Sequence, residues 1–249
     1  MGAEVCRAVS NADDLCLVSA VDAAASGKSV ESVAGIESDL LIGHDTDTLV
    51  DASPDVVVDF TVADAARDTL PNMASAGIHA VVGTTGFSAA DLDRFAGAFT
   101  SSNCLIAPNF AIGAVLMMRF AELASPYFDS AEVIELHHDA KIDAPSGTAI
   151  ATVERMAAAS SDWADDPTEH EILTGARGGA GDAGIPIHSV RMRGLVAHQE
   201  VLLGTTGQTL SIRHDTIDRT SFMPGVLLAV RGISNLPGLT VGLDALIDI

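Results

Sequence analysis

The sequence predicts an α/β protein: a doubly wound, Rossmann-like parallel-sheet domain, then an α+β domain with an open, mainly antiparallel sheet. Three observations carry this. Valine-rich apolar runs alternate with alanine-rich amphipathic stretches through the first 108 residues, the pattern of strands covered on both faces by helices. Beyond that point the order changes to helix, strand and helix, followed by several closely spaced strand-like runs. The 249 residues, 48% of them hydrophobic, can build a sizeable core in one large domain or two modest ones.

In chain order, the pattern predicts a helix at 2–9, then strands at 15–21, 56–60, 79–82 and 104–107 with helices at 63–76 and 89–99 between them. A helix follows at 113–127, with Met117 and Met118 in its core, and a strand at 131–138. A loop then ends at Pro145, and a helix runs over 147–159. The glycine-rich stretch 175–184 reads as a surface connection rather than a lid. Strands at 187–192, 198–203 and 209–214 and a helix at 223–231 complete the reading. The nucleotide domain is expected over 1–108, rejoined by 220–249, and the substrate-binding and oligomerisation domain over 109–219.

A dinucleotide-binding unit opens with a strand, a glycine-rich turn and a helix whose N-terminus holds the pyrophosphate. Here Met1-Gly2-Ala3-Glu4-Val5 already reads as the start of that helix. The expectation is therefore that the N-terminal strand and most of the glycine-rich loop are lacking, with the true start upstream.

The 34 acidic and 13 basic side chains give 13 − 34 = −21. Such a field repels a nucleic-acid backbone, so nucleic acid is excluded as a default partner. No apolar run approaches the roughly 18–20 residues of a membrane span, and the first ten residues lack the pattern of a signal peptide. No membrane association is expected, and the reading is of a soluble cytoplasmic protein. Of the basic residues only Lys28 and Lys141 are lysines. Acid excess with scarce lysine points to a halophilic protein, in which concentrated salt screens self-repulsion. Cys6, Cys16 and Cys104 are odd in number and lack ligand spacing, and are read as small apolar residues in a reducing compartment.

The densest chemistry lies in Glu135-Leu136-His137-His138-Asp139-Ala140-Lys141-Ile142-Asp143-Ala144-Pro145-Ser146-Gly147-Thr148-Ala149. Two histidines and a rare lysine precede a Ser-Gly-Thr that opens a helix, and a helix start offers backbone N–H groups and hydroxyls to a carboxylate or phosphate. A proton donor beside an anion cradle suits reduction of a carboxylated imine or enamine. An ordinary serine-capped helix after a solvated strand end is the plainer alternative.

This stretch resembles the signature E-x-H-H-x-x-K-x-D-x-P-S-G-T-A of the 4-hydroxy-tetrahydrodipicolinate (dihydrodipicolinate) reductases at every specified position. Gly83-Thr84-Thr85-Gly86-Phe87, Ala107-Pro108-Asn109-Phe110, Ile187-His188-Ser189-Val190-Arg191, and Arg219 followed by Phe222 extend the resemblance along nearly the whole chain. The resemblance implies a pyridine-nucleotide reductase of lysine and diaminopimelate biosynthesis. It would turn 4-hydroxy-tetrahydrodipicolinate into tetrahydrodipicolinate with loss of water. His137 would be the acid/base residue and Lys141 the proton donor. His138, Ser146, Gly147, Thr148 and Arg219 would bind the dicarboxylate, and the chain would assemble as a homotetramer.

For the cofactor, Gly83-Thr84-Thr85 follows an apolar strand, at the strand end where open sheets bind nucleotides, and its glycine would let the backbone approach a ligand closely. The resemblance adds Ala107, Pro108, Asn109 and Phe110, and Met1 stands where the glycine-rich turn would end. Asp22 closes the 15–21 run about where an acidic residue typically binds the ribose hydroxyls. Ala23 follows it and offers no cation to a 2′-phosphate, so the expected cofactor is NADH and/or NADPH, with NADH favoured. Two rivals stand beside this reading. One is a catalytically inactive Rossmann-type binding or assembly module; the other is a metal site built from His137, His138, Asp139 and His170. Adjacent histidines on a strand face opposite ways and ligate one ion poorly, so no metal is expected. His44, His188, His198 and His214 are read as ordinary surface or core residues.

Overall fold

The computed structural model describes residues 1–247. They fall into two compact units: Met1–Phe110 with the segment from Phe222 onward, and Ala111–Ser221.

The first unit begins with α1 (Gly2–Ser10), α2 (Val30–Ala34) and α3 (Thr46–Ala52). It continues through β1 (Val56–Asp59), α4 (Ala63–Ser75), β2 (His79–Val82), α5 (Ala89–Ala98) and β3 (Cys104–Ile106). The second unit holds α6 (Ile112–Ala124), β4 (Ser130–His137), α7 (Gly147–Ala159), β5 (Gly179–Ala180), β6 (Pro186–Arg191), β7 (Ala197–Thr205) and β8 (Gln208–Thr216). The chain then returns to the first unit as α8 (Met223–Gly232) and β9 (Leu239–Val241).

In the first unit β1, β2, β3 and β9 form a four-stranded parallel sheet in that order. Its strands are short valine-, leucine- and isoleucine-rich runs because both faces are covered. On one face Ala80, Val82, Cys104 and Ile106 pack with Ala66 and Leu70 of α4, Phe95 of α5 and Phe99 just beyond it. Val81 and Leu105, one residue out of phase, are equally buried on the other face, where α8 contacts β2. Full burial of each such large side chain contributes about 1.5–3 kcal/mol. α5 starts on a capping box, Ser88 accepting from the Asp91 amide while Asp91 accepts from that of Ser88. Burial pushes the Cys104 thiol up to about 12, which makes it an inert core residue. All three cysteines are free, but Cys16 is exposed rather than packed as an apolar residue.

The 15–21 stretch does not form the expected strand. It makes only a single parallel bridge, Val21 to Gly43, although its composition suits a strand. A cavity of about 600 Å³ lies along it, lined by Leu15, Leu17, Val21 and, from β1, Val56 and Val58. Without a neighbouring strand to hydrogen-bond, β-propensity alone cannot build a ladder. Residues 3–42 gather instead around a small core of Val30, Ala34 and Ile42, with Ala3, Cys6 and Leu17 against it.

In the second unit the sheet order is β5-β6-β4-β7-β8. β4 pairs parallel with β6, and all other neighbours are antiparallel. α6 and α7 pack together, α6 meeting β8 and α7 meeting β4, and Met117, Met118, Met156 and Val201 are buried. Most of β8 is exposed, Leu210 included. The glycine-rich stretch is more than a connection, since Gly179 and Ala180 pair with Ile187 and Pro186 as an edge strand. His188 and His198 each meet a carboxylate, Glu132 and Asp215, at 2.6 Å. No helix among the described residues is long and apolar enough to cross a membrane.

Candidate active site

The second unit's site grows from the end of β4. Glu135 and His137 are two residues apart on a strand and therefore share a face. Glu135 is fully buried, and its Oε2 lies 2.5 Å from His137 Nδ1. From β6, whose Arg191 pairs in register with His137, the Arg191 guanidinium donates to both Glu135 oxygens at 2.8 Å. The Ser146 backbone N–H donates to Glu135 Oε1 at 3.2 Å. Ser146 is the N-cap of α7, its hydroxyl accepting from the Ala149 amide. Thus one buried carboxylate joins the imidazole, an arginine and the helix start.

The loop between β4 and α7 carries the cation. Lys141 Nζ donates to both oxygens of Asp143 at 2.7 and 2.8 Å, and Arg191 donates to the Asp143 carbonyl at 2.7 Å. The Lys141 amide closes a turn on the His138 carbonyl, and a cis Ala144–Pro145 bond precedes the cap. Gly147 faces open space where a side chain would stand. The Thr148 carbonyl accepts from the Thr152 hydroxyl, which in turn accepts from Gln199 of β7.

Burial works to raise the Glu135 pKa, but hydrogen bonds from Arg191, Ser189 and His137 outweigh it and hold the carboxyl below its ordinary value. Burial lowers the His137 pKa, aided by the charges of Lys141 and Arg191 and opposed by Glu135. The imidazole is therefore neutral near pH 7.

The structure brings His137, Lys141, Ser146, Gly147 and Thr148 onto one strand end, one loop and one helix start. His138 is exposed on the same loop. Arg219 begins a separate 3₁₀ turn, Arg219–Phe222, is exposed, and makes no hydrogen bond or ion pair among the described residues. Sequence reasoning missed the parts played by Glu135, Asp143 and Arg191. The two-residue spacing of Glu135 and His137 was the available signal for the first. No group of three or more histidine, cysteine, aspartate or glutamate residues suited to a metal ion occurs among the described residues.

In the first unit Gly83–Thr85 and Ala107–Phe110 follow the carboxyl ends of the parallel strands β2 and β3. Asp59, closing β1, is buried; its Oδ1 accepts from the Thr61 amide, the Thr61 hydroxyl and the Thr84 hydroxyl, each at 2.8 Å. This carboxylate, another residue missed in the sequence, ties the loops after β1 and β2 together. Thr84 is buried beside it and Thr85 is exposed. Packing alone already requires glycine at position 83, because a Cβ there would lie 2.1 Å from the Phe60 ring. Phe60 in turn packs 5.7 Å from Phe110. After β3, Ala107 and Phe110 are buried, Asn109 is half-buried and Pro108 is exposed.

Met1 is the N-cap of α1 and supplies no side-chain cap, and Gly2 faces open space. Asp22 is exposed, and its Oδ1 accepts from the Ala24 and Ala25 amides. These features fit a dinucleotide: an uncapped helix start for phosphate, a carboxylate for ribose, and strand-end loops for the nicotinamide.

Comparison with known proteins gives a consistent result. A family model described as dihydrodipicolinate reductase, N-terminus, matches residues 1–110, and one described as dihydrodipicolinate reductase, C-terminus, matches residues 113–247. A 4-hydroxy-tetrahydrodipicolinate reductase of Mycobacterium sp. (strain KMS) is 50% identical over 253 residues, covering 100% of this chain and 95% of the relative. One from Nocardia farcinica (strain IFM 10152) is 51% identical over 256 residues, with the same coverage. Among solved structures, the dipicolinate-bound dihydrodipicolinate reductase from Paenisporosarcina sp. TG-14 superposes with a TM-score of 0.84 at 38% identity, covering 97% of this chain and 93% of that one. An amine dehydrogenase from Mycobacterium smegmatis, at 11% identity and a TM-score of 0.63 over 96% of this chain and 91% of that one, shares the fold alone.

Proposed function

The chain belongs to the dihydrodipicolinate reductase family, and from that premise we propose how its own residues carry the reaction. The enzyme reduces 4-hydroxy-tetrahydrodipicolinate to tetrahydrodipicolinate, with loss of water. A reduced nicotinamide cofactor, held by Met1, Asp22, Gly83, Thr84, Thr85 and Ala107–Phe110, supplies the hydride when bound. Asp22 followed by Ala23 favours NADH over NADPH, because no cation stands next to the ribose carboxylate.

The dicarboxylate binds where backbone amides open α7. Ser146, Gly147 and Thr148 take one carboxylate, helped by the positive end of the helix, while Arg219 and His138 add contacts to the substrate. Neutral His137 exchanges protons through Nε2, the ring nitrogen not facing Glu135. The Lys141 ammonium delivers its proton to the ring as the reduction completes. To do so its ammonium turns from Asp143 toward the substrate. In a chain of net charge −21 these local cations are what draw a dianion in.

The single observation that carries this reading is the placement of His137 and Lys141 directly before the capped start of α7. The purified protein is mixed with 4-hydroxy-tetrahydrodipicolinate and NADH or NADPH, and loss of the reduced-nicotinamide absorbance is followed. Substrate-dependent consumption is expected, with the larger kcat/KM for NADH. No consumption with either cofactor overturns the mechanism; at least a tenfold advantage for NADPH overturns the cofactor preference. The wider reading is of a cytoplasmic homotetramer working in concentrated salt, assembled through the sheet face on which β8 lies exposed.

A further inference from the structure

We propose that Glu135 is the positioning residue of the site: its buried carboxylate fixes the tautomer and direction of His137 and locks the ring to the anion-binding helix start. This rests on the proton-transfer role given above to His137. An ionised carboxylate has no proton to donate, so the 2.5 Å contact requires the hydrogen to sit on His137 Nδ1. Nε2 is then the lone-pair nitrogen, turned away from Glu135 and able to exchange a proton with substrate.

The same carboxylate takes two hydrogen bonds from Arg191 and one from the Ser146 amide. A bidentate arginine pins the carboxylate plane, and the ring plane follows it. Shift in any one partner is felt by the other two. The arrangement parallels the outer carboxylates that orient metal-bound histidines, whose loss typically costs about 10–100-fold in activity. The charged groups facing the ring are Glu135 on its own strand, Arg191 on β6 and Lys141 on the loop; its antiparallel partner on β7 is the neutral Ala197.

Imidazole ¹⁵N NMR on the whole protein tests this without any turnover. In the wild type above neutrality, the Nδ1–H form of His137 is expected to dominate. Glu135→Gln keeps the shape but has one oxygen for Arg191 and an amide N–H₂ for the ring, so His137 is expected to switch to the Nε2–H form. Its titration should also move to lower pH, because an attractive charge has gone. kcat in Glu135→Gln should fall about 10–100-fold with a smaller change in KM.

A wild type already dominated by Nε2–H overturns the proposal, and that measurement needs no variant to fold. An unchanged tautomer and titration in a folded Glu135→Gln overturns it equally. An Nδ1–H ring in a protein that consumes no substrate would instead leave the positioning intact and remove the reductase mechanism.

Discussion

Replacing Gly83 by alanine sets a methyl carbon 2.1 Å from Cε1, 2.5 Å from Cδ1 and 2.6 Å from Cζ of Phe60. Non-bonded carbons rest about 3.5–4.0 Å apart, so the ring must retreat by roughly 1.5 Å. It cannot do so freely, because it packs at 58° against Phe110, which is itself only 2% exposed. Overpacking of this kind costs about 1–3 kcal/mol, or roughly 2–12 °C in Tm for a chain of this size. Thermal and urea unfolding of Gly83→Ala, Phe60→Leu and the double variant measure it. Leucine removes the ring edge that the methyl meets, so the double variant should recover most of the Gly83→Ala loss as a coupling above about 1 kcal/mol. Additivity within about 0.5 kcal/mol would refute the steric argument.

Three further outcomes follow from the same geometry. Lys141→Ala should lower kcat by about 10² or more, the scale of a lost proton donor, while far-ultraviolet circular dichroism stays unchanged; near-normal turnover would remove Lys141 from the mechanism. The Glu135 carboxyl is held below its ordinary value of 4.5. Its contribution to stability is therefore complete above pH 4.5 and lost as pH falls through the lower folded value. His137, whose pKa is depressed below 6.5, adds a loss in the same direction below pH 6.5. Below pH 4.5, where only the wild type titrates Glu135, Tm should accordingly fall less steeply for Glu135→Gln. Between pH 6.5 and 4.5 the variant, with its more depressed His137, should fall at least as steeply as the wild type. Finally, raising salt from about 0.1 M to about 1 M shrinks the Debye length from ~10 to ~3 Å. Tm of this −21 chain should rise with it, and a Tm insensitive to salt would count against halophilic adaptation.

The regular elements were legible wherever a strand or helix was long enough to show its period and had a partner close in sequence. The runs at 79–82 and 147–159 coincide with β2 and α7 to the residue. Elements α2 and α3 were missed because five and seven residues are too few to show a helical period, and β9 because its pairing partner β3 lies far from it in sequence. The 15–21 stretch failed for the opposite reason. Its pattern was clear, but a ladder needs hydrogen-bonding partners that composition does not report.

At the site, the motif spacing located His137, Lys141 and the helix start. The bond between Glu135 and Arg191 spans 56 positions and exists only because β4 and β6 pair in parallel register, which no local pattern encodes. Gly83 carries a packing cause that the local pattern did not report: the ring of Phe60, just after the preceding strand, fills the place of its side chain.

The buried apolar residues of the first unit gather in separate cores. Val30, Ala34 and Ile42 hold the opening segment, Val57, Met73 and Ile78 anchor β1, and about 600 Å³ lies along the inner edge of the former. Amide protons at 14–45 should therefore exchange with deuterium through a local opening of lower free energy than those of β2 and β3. Asp22 is tied to that segment through the Gly43 carbonyl, so a local opening there and overall unfolding respond to different substitutions.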